Sequence, residues 1–84
     1  MEKYETKEIE LASFLKACEV PMNEVKKNDH NKVVFVFENK EGFAEKRAMD
    51  FFKGNDVISA SKLFASFKMI KNLIFAHKDG GVDA

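Results

Sequence analysis

Residues Lys32 to Glu38 read Lys-Val-Val-Phe-Val-Phe-Glu, and the fold turns on how this stretch is read. Five consecutive β-branched or aromatic residues between two charged ones predict a short strand, because such side chains suit a pleated surface and lose rotamer freedom in a helix. Alternation sends Val33, Phe35 and Phe37 to one face and Val34 and Val36 to the other, so neither face is made for water. Helices are expected to cover the Val33, Phe35 and Phe37 face. The Val34 and Val36 face is expected to lie under the remaining helix or under a second copy of the chain.

Working outward, Asn28-Asp29-His30-Asn31 precedes this strand and is dense in residues that bond their own backbone and tolerate left-handed angles. It reads as a hairpin loop, fed by a charged edge strand over Asn23 to Lys27 whose one apolar residue is Val25. Upstream, Thr6 offers an N-cap oxygen, and Glu8 and Glu10 place negative charge where a helix dipole favours it. Leu11, Phe14, Leu15 and Cys18 then follow a spacing of three and four, the apolar stripe of a first helix. Pro21 cannot continue that helix and biases Val20 to an extended conformation. Residues 3–6 read either as a frayed arm or as an extra strand at the sheet edge.

Downstream, Asn39-Lys40-Glu41-Gly42 is a turn, and Phe43, Ala44, Arg47, Ala48, Phe51 and Phe52 recur at helical spacing. This second helix is expected to end at Gly54, with Phe51 and Phe52 as its main core contribution. Ser59 is a good N-cap for a third helix running to about His77. There, Ala60, Leu63, Phe67, Ile70 and Ile74 form the expected core stripe, flanked by Leu73 on one side and by Phe64 and Phe75 on the other. The far side carries Ser61, Ala65, Met69, Asn72 and Ala76, which are small or neutral. A solvent face normally carries more Glu and Lys, so Ala65, Met69, Asn72 and Ala76 are read as a face for a second copy or a partner.

Composition bounds what such a chain can be. Eighty-four residues with 45% apolar content make one domain, placed at 1–78 with a flexible tail over 79–84. Nine phenylalanines and no tryptophan put much of the core on Phe. Fourteen basic and fourteen acidic residues cancel, so no whole-molecule field draws the chain to nucleic acid or to an anionic membrane. The one cysteine, Cys18, lies on the first helix's apolar stripe and reads as a packing thiol in a reducing compartment. The charged start lacks the apolar run of a signal peptide, and no run is long enough to span a bilayer, so a cytoplasmic location is expected.

The search for chemistry is short. No phosphate-cradling glycine loop, His-Glu-x-x-His or serine-nucleophile signature is present, and Glu8 and Glu10, two apart on a helix, do not face each other. No enzyme, no metal and no cofactor are therefore expected. His30 beside Asp29 reads as a solvated loop tip, and His77-x-Asp79 as a helix end, since neither has further ligands at a suitable spacing. The sharpest signal is basic and aromatic: Lys68, Lys71 and Lys78 cluster beside Phe64 and Phe75, a mix that can hold phosphates and stack bases. Against it stands the ordinary reading, in which lysine stems lie over apolar surface with their heads in water.

Taken together, Tyr4-Glu5-Thr6-Lys7 leading into Leu11-Ala12-Ser13-Phe14-Leu15, then Val34-Phe35-Val36-Phe37-Glu38, Phe51-Phe52-Lys53-Gly54 and Lys71-Asn72-Leu73-Ile74-Phe75, resemble a family of short bacterial and phage proteins that carries only a domain-of-unknown-function label. The resemblance reaches to about Phe75. Glu19 departs from it by standing where a glycine is expected after the first helix. It implies a compact bacterial, archaeal or phage accessory domain and carries no active site.

The expectation is an α+β domain: a helix, a β-hairpin, then two helices packed on a small antiparallel sheet. Its expected role is a non-enzymatic protein-binding module, as a homodimer or with another protein. The alternatives are a small nucleic-acid binder using Phe64, Lys68, Lys71, Phe75 and Lys78, and a phage-encoded modulator of a host protein.

Overall fold

The computed structural model describes residues 3–55 and 57–79, with side chains to residue 76. The chain runs β1 (Lys3–Thr6), α1 (Ile9–Ala17), β2 (Met22–Lys27), β3 (Val33–Glu38), a 3-10 turn (Lys40–Gly42), α2 (Phe43–Phe52) and α3 (Ala60–Asp79). The sheet order is β1-β3-β2, with both outer strands antiparallel to β3. This is the expected α+β domain, and residues 3–6 are the extra strand rather than an arm. Because β1 and β2 flank β3 and run the same way, α1 is the crossover that connects them across it.

Local chemistry explains the boundaries. The Thr6 hydroxyl accepts the backbone N–H of Glu8 at 3.0 Å, so it closes β1 in a serine/threonine-type turn instead of capping α1, which starts at Ile9. In the hairpin loop, Asn28 Oδ1 accepts the N–H groups of His30 and Lys32 at 2.9 and 3.0 Å, while Asn31 takes a left-handed angle. A bulge at Asn23 lets Met22 pair with Phe37 and Val25 with Phe35, so two side chains an odd number of positions apart both point to the helices. Asn39 Oδ1 accepts the N–H of Glu45 in the first turn of α2. The Ser59 hydroxyl accepts the N–H of Lys62 at 3.2 Å, the expected cap of α3.

One core lies between the sheet and the helices. Val33, Phe35 and Phe37 pack with Leu11, Phe14 and Leu15 of α1, Ala44 and Ala48 of α2, and Ile70 of α3. The second sheet face corrects an expectation. Val34 and Val36 are only 5% and 1% exposed within a single chain, yet they stand outside that core cluster. Strand register puts Glu5 and Glu24 on either side of Val36, and Lys26 beside Val34. Lys26 Nζ reaches Glu5 Oε2 at 3.3 Å, an ion pair that bridges β2 to β1 over the central strand. Within the single chain, charged side-chain stems rather than a helix screen this face.

The burden on phenylalanine is also corrected. Phe14, Phe35 and Phe37 are buried, whereas Phe43, Phe52, Phe64, Phe67 and Phe75 are exposed. In α2 the buried positions are Ala44 and Ala48, and Phe52 is 66% exposed. Small side chains let the α2 backbone approach the core, which leaves Phe51 half-buried at the edge against Phe14 and Phe52 outside it. Helix α3 runs to Asp79, so the first residue of the expected tail is helical, and residues 80–84 lie outside the described residues.

Candidate functional site

Helix α3 packs on α1 and, more lightly, on β2 and β3. Its buried side centres on Ile70 and Ser66, with Leu63, Leu73 and Ile74 half-buried. This departs from the expected stripe: Ala60 is exposed and Phe67 is 38% exposed. At about 100° per residue, Phe64 and Phe75 lie a third of a turn or more from Ile70, and they are 71% and 70% exposed. The expected contact strip thus gathers in one place, with Phe64, Lys68, Lys71 and Phe75 all open to solvent along one side of the helix. Lys78 is helical, and its side chain lies outside those described. Ala65, Met69, Asn72 and Ala76 are exposed on the adjoining side, so the solvent-facing surface of α3 unites both groups.

Beside this strip runs a feature that sequence reading missed, a cleft of about 330 Å³ between α1, the end of α2 and α3. Phe14, Phe51, Ile58, Leu63, Phe64 and Phe67 line it, with Glu10 and Ser13 on the α1 side. Its floor is an aromatic step: the Phe14 and Phe51 rings lie 5.4 Å apart, and Phe51 meets Phe52 edge-on at 5.7 Å. Ser13 is buried there, and its hydroxyl donates to the Ile9 carbonyl at 2.8 Å, so it offers the cleft no spare donor. The available signal was the number of phenylalanines, more than one small core can take, together with apolar Val57-Ile58 in the linker.

Electrostatics divide the strip. Lys62 Nζ is held by Glu19 Oε2 at 3.1 Å. Lys71 Nζ sits 5.5 Å from the Phe67 ring centroid, a cation–π placement, and Lys68 makes no ion pair among the described residues. A second groove of about 510 Å³ lies over the outer sheet face, where Lys7, Lys26, Lys27, Glu5 and Asp29 mix both signs of charge around Val34.

Burial pushes the Cys18 thiol up, against a smaller lowering by the Arg47 guanidinium, which keeps it a protonated, poorly nucleophilic thiol. Burial, then the Glu45 carboxylate, raises the Tyr4 phenol. Among the described residues no three His, Cys, Asp or Glu side chains converge as metal ligands, and no helix is long and apolar enough to cross a membrane. A protein-family model described as Domain of unknown function (DUF5659) matches residues 1–76. No curated protein and no solved structure matches the chain significantly.

Proposed function

The chain belongs to the DUF5659 family of domains of unknown function, and from that premise we propose that it is a non-enzymatic protein-binding module. It offers a partner the solvent side of α3 and the apolar cleft next to it. The observation that carries this reading is the exposure of Phe64, Phe67 and Phe75 on one helix. Fully burying a large aromatic is worth roughly 1.5–3 kcal/mol, so side chains left this open have burial to gain from a partner. Aromatic anchors next to a cleft are what interface hot spots are made from.

Photo-cross-linking tests it. With p-benzoylphenylalanine in place of Phe64 in the source cell, discrete protein adducts are expected, and they should be absent when the same probe replaces Lys46 on the exposed side of α2. Adducts to nucleic acid alone would overturn the reading in favour of a second one, in which Lys68 and Lys71 contact phosphates while Phe64 and Phe75 stack bases. The shared exposure of those four side chains is what favours that alternative.

A further inference from the structure

Resting on the docking role above, we infer that the cleft beside α3 takes an acidic amphipathic helix of a partner protein. Its apolar side chains fill the space between Phe14, Phe51, Leu63 and Phe67, and its carboxylates pair with Lys68 and Lys71. The cleft supplies the shape: an apolar trough between helices, bordered by residues 10–14 of α1 and 63–67 of α3, receives a helix through anchors spaced three and four residues apart.

Charge supplies the partner's chemistry. From Ala60 to Lys78 the helix carries Lys62, Lys68, Lys71 and Lys78 and no acid before Asp79 at its end, in a chain whose charges cancel overall. Lys62 is already matched by Glu19, which leaves Lys68 and Lys71 without an ion pair among the described residues, next to the aromatic side chains. The carboxylate on the opposite rim is Glu10, so complementarity runs from the α3 side of the trough. An acidic partner is drawn to that side, and a basic one is repelled by it.

The same charges disfavour the other occupants. Phe64 and Phe75 stand equally far from the middle of the helix segment between them, as do Lys68 and Lys71. A second copy laid antiparallel to bury Phe64 on Phe75 of its twin therefore sets Lys68 against Lys71, four ammonium groups with no acid between them on either helix. Nucleic acid is disfavoured by number: binding scales with the phosphates neutralised, and a short lysine row on a chain of zero net charge neutralises few.

The test is selection of a displayed library of random peptides, about 16 residues long so that they can form a helix in the groove, on the intact protein. Binders are counter-selected against the Phe64→Ser, Phe67→Ser double variant, whose circular dichroism should match the parent because both side chains are exposed. Enriched peptides are expected to carry net negative charge and apolar residues at helical spacing. One of them should lose roughly tenfold or more in affinity to the Lys68→Glu, Lys71→Glu variant and weaken with added salt. Enrichment of neutral or basic peptides that still depend on Phe64 overturns the acidic assignment and leaves the docking role standing. No enrichment over the double variant overturns both.

Discussion

Two helix ends show what a single residue contributes. After α1, the N–H of Val20 reaches the Leu15 carbonyl at 3.0 Å and that of Glu19 the Lys16 carbonyl at 2.9 Å; after α2, Asn55 reaches Asp50 at 2.8 Å and Gly54 reaches Phe51 at 3.2 Å. Both are Schellman turns, with the left-handed residue at φ 66° in Glu19 and 82° in Gly54. A side chain at that angle costs about 1 kcal/mol, and Glu19 recovers little of it through its exposed pair with Lys62. Glu19→Gly is therefore expected to stabilise the domain by about 1 kcal/mol, read as a higher urea midpoint at unchanged slope. Gly54→Ala should cost a similar amount, although a Cβ there would meet nothing within 4 Å. Titration adds a second expectation. Burial raises both Tyr4 and Cys18, so folding favours their neutral forms. That stability is fully present below the unfolded-state pKa values and is lost as pH rises through the higher folded ones. Urea midpoints measured between about pH 8 and about pH 11 should fall, with a shallower decline in Tyr4→Phe and in Cys18→Ala.

At the scale of elements, α3 has two sides with opposite energetics. Ile70→Ala opens a cavity under a fully buried side chain and is expected to cost about 2–5 kcal/mol. Phe64→Ser and Phe75→Ser should each leave stability within about 0.5 kcal/mol, since the two side chains are 71% and 70% exposed among the described residues. Equal losses in thermal melts at all three positions would show that the helix is buried on a different side. The same helix marks where sequence reading stops. The strand at 33–38, the Asn28 loop, the Ser59 cap and the Gly54 stop were legible because each signal is local: alternation, a side chain that bonds its own backbone, or a left-handed angle. Periodicity on α3 placed the core on the Ile70 side, as found, but could not say how far round the burial reaches, so Ala60 and Phe67 looked more buried than they are. That extent is set by α1 packing against the Ile70 side, a contact distant in sequence. For the same reason Phe51 and Phe52 looked like core, whereas Ala44 and Ala48 allow the close approach. The strip of Phe64, Lys68, Lys71 and Phe75 was readable as a strip, but the cleft beside it was not, since it needs three helices in place.

Considered whole, the molecule pairs a sheet closed on its helical face by Phe35 and Phe37 with a perimeter that holds five of its nine phenylalanines. The screened outer face is held by a network of stems and one exposed ion pair, so Lys26→Ser should matter through uncovered Val34 and Val36 more than through lost charge. Its stability should accordingly change little between low and high salt, in contrast to peptide binding at α3. The account stands on the α3 aromatic side chains being open in the lone chain, and the most direct test is fluorine NMR of protein labelled with 4-fluorophenylalanine in the presence of a soluble paramagnetic chelate. Phe64, Phe67 and Phe75 are predicted to broaden along with Phe43 and Phe52 while Phe14, Phe35 and Phe37 stay sharp. Sharp, protected resonances for Phe64 and Phe75 in the free monomer would contradict it.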